Sequence, residues 1–175
     1  MTTFERAAEF DTATFRSVIG HFCSGVTVVT GQTDDGPVGF TCQGFHSLSL
    51  EPALIVLLPG RGSTSWPRIA ATGSFCVNVL AGDQEEVSNA FAVSGGDKFG
   101  GVDWRPSPYG SPMIEGAAAW IHCTVDQVHK GGDHWIVVGA VRDLAANADP
   151  DPLLFYRGKY LQAESADPRL GRVAS

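Results

Sequence analysis

The feature that most limits the fold of this chain is the way its strand-like segments follow one another through tight turns. Residues 25–31 and 37–45 flank the turn signal Thr33-Asp34-Asp35-Gly36, and residues 117–130 and 134–144 flank a glycine-rich turn. Both patterns predict a β-hairpin. Because strands meet mainly through hairpins and do not alternate with helices, we expect an antiparallel barrel with helical insertions and not a doubly wound parallel sheet.

The remaining segments complete a mainly β domain of about seven or eight strands and three helices. Further strands are predicted at 46–52, at 53–58 as a buried strand, at 74–80, and as one short last strand within 152–162. We expect one domain over residues 1–162, which begins with a loose arm at 1–10 and is followed by a C-terminal tail at 163–175.

Three helices are predicted from their apolar spacing and end signals. The first is capped by Asp11 or Thr12 and ends at Gly25, with its apolar side chains at 3.6-residue spacing. The second follows the turn at 60–65 and is terminated by Gly73. The third opens with a capping-box pattern at Asp83 and Glu86. The first helix has these apolar positions: Phe15, Val18, Ile19 and Phe22.

Composition and charge narrow the class of protein. The chain has 12 basic and 19 acidic residues and a net charge of −7, so we expect neither a nucleic-acid partner nor an anionic membrane surface. It contains no apolar run near the roughly 20 residues of a membrane span, and its N-terminus lacks a signal peptide pattern. The four scattered cysteines, at 23, 42, 76 and 123, predict buried free thiols in a reducing cytoplasm.

A strand that runs into a Gly/Ser/Thr-rich turn at a helix start is the best candidate for an anion site. The segment Gly60-Arg61-Gly62-Ser63-Thr64-Ser65 offers hydroxyl groups, free backbone N–H groups and an arginine. It contains G-x-G but ends in serine, so it is weak as a dinucleotide-binding fingerprint. The alternative is an ordinary capped helix start.

Four other segments carry candidate binding residues. Glycine at 39 and 44 would let a flat ligand approach the strand backbone, although a plain strand with a bulge explains the same residues. Lys98 lies beside Phe99 in a long Gly/Pro/Ser-rich segment, where a solvated loop charge is the alternative. His134 at a turn, and the segment Tyr156-Arg157-Gly158-Lys159-Tyr160, add an imidazole, phenols and a guanidinium. We find no motif of a catalytic triad and no metal-ligand spacing.

The order of the motifs is more specific than any one of them. The motifs are FRSVIGHFCSGVTVVT, PVGFTCQGFHSLSLEPALIVLLP, GSFCVNVL, DKFGGVDW, GDHWIVVGAV and PLLFYRGKY. In this order, over about residues 12–162, the chain resembles the short-chain flavin reductases, the reductase components of two-component flavin-dependent monooxygenases. The resemblance is closest to the reductases of phenol and steroid-phenol hydroxylases.

The resemblance implies a flavin-binding split β-barrel with Greek-key strands, working as a homodimer with the flavin near the subunit interface. It also implies NAD(P)H-dependent reduction of FAD or FMN, with FAD and NADH preferred. The reduced flavin would then diffuse to a separate monooxygenase that acts on an aromatic or phenolic substrate. Hydride transfer between two stacked rings needs no protein nucleophile, which agrees with the missing triad.

The resemblance also implies a set of site residues. The isoalloxazine ring would lie along Gly39, Phe40, Thr41, Cys42, Gln43 and Gly44, flanked by Leu58 and Pro59. Ser63 and Thr64 would take the phosphate, with Lys98 and Phe99 added from the loop. The nicotinamide nucleotide would meet His134, as the residue that orients it, and Tyr156, Arg157, Gly158 and Tyr160. Gln43-Gly44 departs from the Asn-Ser that is common in the family, so the resemblance implies backbone contacts there, with an amide from Gln43 and no hydroxyl at Gly44.

Two other functions stay open on the sequence. A split barrel can store a flavin or haem without catalysing a reaction, since fold does not determine function. A Rossmann-type dehydrogenase would use Gly60-Arg61-Gly62 and an acid near Asp83, but it requires a parallel sheet.

Overall fold

The computed structural model of the protein describes residues 10–148 and 150–163. The predicted arm at 1–10 and tail at 163–175 therefore lie outside the described residues, except for Phe10 and Ala163. No helix in the described part of the chain combines the length and the apolar content needed to span a bilayer.

The described residues form three helices and twelve strands. The helices are α1 (Thr12–Ile19), α2 (Trp66–Thr72) and α3 (Glu85–Ala92). The strands are β1 (Ser24–Gly25), β2 (Thr27–Thr33), β3 (Gly36–Cys42), β4 (Phe45–Leu50), β5 (Ala53–Leu57), β6 (Ser74–Val79), β7 (Trp104–Pro106), β8 (Pro112–Ile114), β9 (Ala119–Gly131), β10 (His134–Ala146), β11 (Leu153–Tyr156) and β12 (Lys159–Gln162).

Seven strands form one curled antiparallel sheet. Its order is β3-β2-β6-β9-β10-β5-β4. The two edge strands, β3 and β4, are separated along the chain only by Gln43 and Gly44, so the sheet must curl until its edges meet at that point. Because no ladder joins β3 to β4 among the described strands, the barrel is split there, and the predicted fold class is confirmed.

Every ladder in the described residues is antiparallel, and both predicted hairpins are present. β2 pairs with β3 up to Thr33 and Gly36, and β9 pairs with β10 up to Gly131 and His134. The turn between β9 and β10 contains Gly132 at φ 70°, a conformation that favours glycine. The Rossmann alternative is wrong, because it needs parallel strands.

The barrel interior is apolar and is closed at one end by α2. Val29, Leu57, Phe75 and Val137 are fully buried in it. Trp66, in the first turn of α2, meets Phe75 edge to face with ring centroids 6.3 Å apart. Burial of these large side chains is the main stabilising contribution to the barrel.

The hairpin of β7 and β8 lies on the outer face of β2 and β6, where a buried polar network holds it. Asn78 Nδ2 donates to Val28 O at 2.9 Å and to Thr30 Oγ1 at 3.1 Å, and its Oδ1 accepts from Ile114 N at 2.8 Å. Thr30 Oγ1 donates in turn to Pro112 O. Since Asn78 is fully buried, these bonds make its burial tolerable.

Four sequence predictions need correction. The last strand is a hairpin of β11 and β12, which β1 extends to a three-stranded sheet. The first helix ends at Ile19, with Gly20 as its C-cap, and does not reach Gly25. Asp83 does not cap α3, because Gln84 holds that position. The strand at 53–58 is only half buried, with Leu58 38% exposed.

The apolar face predicted for α1 is present but uncovered. Asp11 caps the helix by accepting from Thr14 N at 2.7 Å, as the sequence predicted. Its large apolar side chains nevertheless lie in solvent: Phe15 is 50% exposed, Val18 63% and Ile19 56%. The described part of the chain therefore leaves one amphipathic helix face without a partner.

Candidate active site

The first candidate cavity, of about 280 Å³, lies where the edge strand β3 meets the start of α2 and the loop at 95–99. It contains four residues that the sequence singled out: Gly39, Thr64, Lys98 and Phe99. It also contains Pro37, Val38, Ser65, Arg68, Gly95, Gly96 and Asp97.

Lys98 joins the loop to the sheet at this cavity. Its Nζ donates to the carbonyl oxygens of Gly39 and Phe91, each at 3.2 Å. Partial burial lowers the pKa of the Lys98 ammonium, since desolvation disfavours the charged form. Phe99 meets Phe91 edge to face at 4.8 Å, which anchors the loop beside the lysine. The lysine is thus held in place and is not a freely solvated loop charge.

The start of α2 supplies hydroxyl groups and a second cation. Ser63 Oγ accepts a hydrogen bond from Trp66 N at 3.1 Å and so satisfies a free N–H group at the start of α2, whose N-cap position is held by Ser65. Thr64 and Ser65 line the cavity, whereas Ser63 does not. Arg68 also lines it and lies 3.7 Å from Asp35 Oδ2. Ser65 belongs to the segment that the sequence puts forward as an anion site, whereas sequence reasoning missed Arg68, whose one signal is its place in the first turn of α2 directly after that segment.

The donor set of this cavity fits a phosphate group. Two cations, Lys98 and Arg68, and the hydroxyl groups of Thr64 and Ser65 border the same space, in a chain whose net charge is −7. Lysine, arginine and hydroxyl donors are the usual protein ligands of a phosphate dianion. The residues present therefore suit the phosphate end of a flavin nucleotide.

The glycines at 39 and 44 are required by internal packing. A Cβ atom at Gly39 would lie 2.6 Å from Phe91 Cε1, and a Cβ atom at Gly44 would lie 2.6 Å from Leu58 Cβ. The space beside these two Cα atoms is therefore filled by protein side chains and is not open to a ligand. A ligand along this segment would contact the opposite side of the backbone.

Between the two glycines the side chains are mostly engaged with the protein. Phe40 and Cys42 are buried in the barrel core, and Thr41 Oγ1 donates to Ser88 O at 2.6 Å. Gln43 is exposed and lines a second cavity together with Gly44. Contacts from this segment to a ligand would thus come from the backbone and from Gln43.

The second cavity has a volume of about 570 Å³ and lies at the junction of β3 and β4. It contains three residues that sequence reasoning missed: Arg16 and Phe22, from α1 and the turn after it, and His46 from β4. It is also lined by Phe15, Ile19, Gly20, Ser24, Gln43, Gly44, Phe155, Arg157 and Gly158.

His134 lies beside the end of β5. Gly60 forms an isolated bridge with His134, and Trp135 N donates to Pro59 O at 2.9 Å. His134 Nδ1 lies 2.8 Å from Asp133 Oδ1, and this hydrogen bond holds the pKa of Asp133 below its usual range, with a smaller contribution from the charge of Arg16. The structure thus brings His134 close to Pro59 but not into either cavity lining.

The Tyr156–Tyr160 segment is divided between two surroundings. Tyr160 packs with Phe155, and its hydroxyl lies 2.8 Å from Ser88 Oγ, so it stabilises the contact of β12 with α3. Tyr156 meets the ring of His21 edge to face at 6.4 Å. Only Arg157 and Gly158 from this segment reach the second cavity.

Burial makes the thiols of three of the four cysteines unreactive. Burial raises the pKa of Cys42 to about 11, that of Cys76 to about 12 and that of Cys123 to about 12. These thiols stay protonated near neutral pH and are poor nucleophiles. Cys23, predicted to be buried, is exposed. Nowhere in residues 10–148 and 150–163 do three His, Cys, Asp or Glu side chains come together as metal ligands would.

Comparison with known proteins identifies the family. The flavin reductase like domain family matches residues 19–164. The reductase subunit HsaB of a flavin-dependent monooxygenase from Mycobacterium tuberculosis is 54% identical over 160 residues, which are 90% of this chain and 86% of that protein.

Two solved structures share the fold. Nitrilotriacetate monooxygenase component B from Mycobacterium thermoresistibile superposes with a TM-score of 0.85 at 49% identity, covering 91% of this chain and 92% of that one. The Streptomyces globisporus NADH:FAD oxidoreductase SgcE6, solved with NAD and FAD fragments, gives 0.84 at 33% identity, covering 92% and 96%. The flavin and the NADH that the sequence predicted appear in the descriptions of such relatives. Because the match spans nearly all of the described residues, the chain belongs to the flavin reductase like domain family.

Proposed function

We propose that the protein is an NADH-dependent flavin reductase, which transfers a hydride from NADH to FAD or FMN and supplies the reduced flavin to a separate flavin-dependent monooxygenase. The observation that carries this proposal is the cavity bordered by Lys98, Arg68 and Thr64 at the edge of β3, in a chain of this family. When bound, the flavin would be the hydride acceptor, and the protein would bind and orient the flavin and the NADH.

The two cavities suggest how the chain would hold the flavin. Lys98, Arg68, Thr64 and Ser65 would bind the phosphate, and Ser63 would support them through its hydrogen bond with Trp66 N at the start of α2. The ring would lie against the backbone between Gly39 and Gly44, which connects the two cavities. Leu58 and Pro59 directly follow strand β5, and Leu58 N donates to Gly44 O at 2.8 Å. This bond keeps the end of β5 against the junction of β3 and β4.

His134 would orient the nicotinamide and would not act as a proton donor in the hydride step. Asp133 holds its ring from one side through a hydrogen bond. The hydrogen bond from Trp135 N to Pro59 O fixes the start of β10, which carries His134. A residue fixed in this way can reduce the entropy cost of aligning two rings. Arg157 and Gly158 would contact the same nucleotide from the second cavity, with Tyr156 and Tyr160 fixing the hairpin that carries them.

The site is exposed to solvent, which supports the proposal that reduced flavin leaves the protein. Gln43 and Leu58 are both exposed, so a bound ring would keep one side accessible unless another molecule covered it. The partner would be a monooxygenase that acts on an aromatic or phenolic substrate. The support for a separate monooxygenase is that the relative from Mycobacterium tuberculosis is described as a reductase subunit.

We also propose a homodimer in the cytoplasm. The uncovered apolar face of α1 adjoins the second cavity, and a second copy seated there would bury it and cover the site. Three cysteines buried in apolar surroundings suit a reducing compartment. Sedimentation equilibrium of the full chain measures the oligomeric state, and a mass of 18.5 kDa at all concentrations would contradict the dimer.

Steady-state kinetics test the proposed function. Purified protein is mixed with NADH or NADPH and with FAD, FMN or riboflavin, and the loss of nicotinamide absorbance is followed. We expect turnover with NADH and FAD or FMN, and slower turnover with NADPH. Absence of turnover with every pair, in protein that binds flavin, would instead support a flavin-storing protein.

A further inference from the structure

A separate cavity, called here the hairpin-tip cavity, lies where the tip of the β7–β8 hairpin meets β9 and the end of β10. Its volume is about 200 Å³, and it shares no lining residue with the two cavities of the candidate active site. Three rings, of Tyr109, Trp120 and His122, form its wall together with the side chains of Met113 and Leu144. The cavity is therefore mainly aromatic and apolar, and the proposed function does not use it.

One polar side chain in this wall lacks a partner. His122 is only 5% exposed. Its Nε2 lies 3.1 Å from Ser74 Oγ, and Ser74 does not line the cavity. Its Nδ1 is buried and has no hydrogen-bond partner among residues 10–148 and 150–163. Because an unpaired polar atom is costly to bury, a ligand atom that bonds to Nδ1 would gain a favourable interaction.

The neutral state of His122 determines which ligand group suits it. Burial lowers the pKa of His122, and the nearby charge of Asp143 opposes this only in part, so the ring is neutral near pH 7. In a neutral imidazole one nitrogen donates and the other accepts. The hydroxyl of Ser74 can take either role towards Nε2, which leaves either role to Nδ1. A ligand hydroxyl can donate or accept and so matches Nδ1 in both cases.

The charges around the cavity favour an uncharged ligand. Arg105 lines the cavity, but its Nε lies 2.9 Å from Glu115 Oε1, and its guanidinium lies 5.7 Å from the ring centroid of Trp120. The other charged side chain of the wall, Asp143, is a carboxylate. An anion would thus meet a cation that already has a counter-ion, and it would be repelled by Asp143.

We propose that the hairpin-tip cavity binds a neutral phenol, a single aromatic ring whose hydroxyl bonds to His122 Nδ1 and whose ring packs against Trp120. An apolar protein cavity of about 150 Å³ is large enough to bind benzene, so this cavity of about 200 Å³ has room for one substituted ring. Contact with aromatic and apolar side chains supplies most of the binding energy, and the hydroxyl supplies selectivity.

Tyr109 is the part of the wall that admits the ligand. Its ring stacks on that of His122, with centroids 4.1 Å apart and planes at 13°, and it is 51% exposed. Since Nδ1 is buried, a ligand hydroxyl reaches it only after a neighbouring group moves. A half-exposed ring on the hairpin tip can move at a smaller loss of buried area than the strands β9 and β10 can.

The test compares p-cresol with toluene, which has the same ring and methyl group but no hydroxyl. Calorimetric titration of the full chain should show saturable binding of one p-cresol per chain, at least tenfold tighter than toluene. The Kd should be the same with and without saturating FAD, which separates this cavity from the flavin site. His122→Phe keeps a flat ring and removes Nδ1, so p-cresol should bind about tenfold more weakly, with toluene unchanged. His129→Phe, at an exposed histidine of β9, is the matched control.

A second variant blocks the cavity without disturbing buried residues. Leu144 is 68% exposed, so Leu144→Trp should fold normally, fill the cavity and abolish binding of both ligands. Leu50→Trp, at a position 94% exposed on β4, should bind both as the wild type does. Absence of saturable p-cresol binding to the wild type would overturn the proposal. Equal affinity for p-cresol and toluene would also overturn it, as would binding that persists in Leu144→Trp or that FAD displaces.

Discussion

Two sides of the barrel differ in how completely the chain covers them. On the covered side, the hairpin of β7 and β8 lies over β2 and β6 and is held by the Asn78 network. On the open side, α1, the junction of β3 and β4, and the turn at Arg157 leave apolar side chains and arginines exposed to solvent. The covered side is stabilised by internal contacts alone.

The difference indicates where the protein meets other molecules. The exposed apolar side chains of α1 have no cover in the described part of the chain, and cations line both cavities, where an anion from outside would meet them. The covered side, in contrast, already contains buried polar atoms that are matched with one another, so it contributes stability. We therefore expect substitutions on the covered side to alter folding, and those at the cavities to alter binding.

The largest effect is expected from Asn78→Ala on the covered side. The change removes three hydrogen bonds and leaves the N–H of Ile114 buried without a partner, which should lower the free energy of unfolding by about 3 kcal/mol. Urea unfolding followed by circular dichroism measures it. Asn147→Ala is the control, since it removes a single bond to Ala117 O and should cost about 1 kcal/mol. Equal losses in the two variants would refute the importance of the network.

The next effect is expected from Lys98→Met at the smaller cavity. Loss of a charge-assisted contact to phosphate should raise the Kd of FMN by about 10- to 100-fold. Riboflavin, which lacks the phosphate, should bind with little change, and Lys130→Met on the exposed end of β9 should alter neither ligand. Fluorescence quenching of the flavin gives both constants. An equal loss for riboflavin would show that Lys98 does not hold the phosphate.

Gly44→Ala sharpens the comparison at the junction of the two edge strands. The new Cβ would lie 2.6 Å from Leu58 Cβ, so we expect a loss of about 1–3 kcal/mol in the free energy of unfolding from overpacking. Gly25→Ala is the matched control, because no atom lies within 4 Å of its added Cβ. Thermal unfolding compares the two variants. A stable Gly44→Ala protein would mean that the junction is loosely packed.

The smallest effect is expected for the four cysteines, which should differ only in how fast their thiols react with a thiol reagent. Cys23 is exposed, whereas Cys42, Cys76 and Cys123 are buried with raised pKa values. We expect one thiol of the native protein to react quickly with a thiol reagent at neutral pH, and the other three thiols to react only after unfolding. Cys23→Ser should remove the fast phase. More than one fast equivalent in the wild type would contradict the buried positions.

How far the sequence predicted the structure depends on how local each signal is. The hairpins at Thr33–Gly36 and Gly131–His134 were predicted correctly because a turn and its two strands lie together in the chain. The family and the split barrel were predicted from motif order. Arg68 and Arg16 were missed because each becomes a site residue only through contacts with distant segments.

The apolar spacing in α1 predicted the helix but not that its apolar face lies in solvent. Periodicity reports amphipathicity and does not report what covers the face. Likewise, Gly39 and Gly44 were interpreted as space for a ligand, whereas Phe91 and Leu58 occupy that space. Such packing depends on residues far apart in sequence, which no local pattern contains.

Hydrogen–deuterium exchange with and without FAD tests the central claim, that the open side and not the covered side receives the flavin. We expect slower exchange of backbone amides in residues 38–44, 64–68 and 95–99 when FAD is present, because those segments border the ligand. Amides in 74–79 and 112–114 on the covered side should exchange at the same rate with or without FAD. Slower exchange confined to the covered side, with none in residues 38–44, would contradict the account.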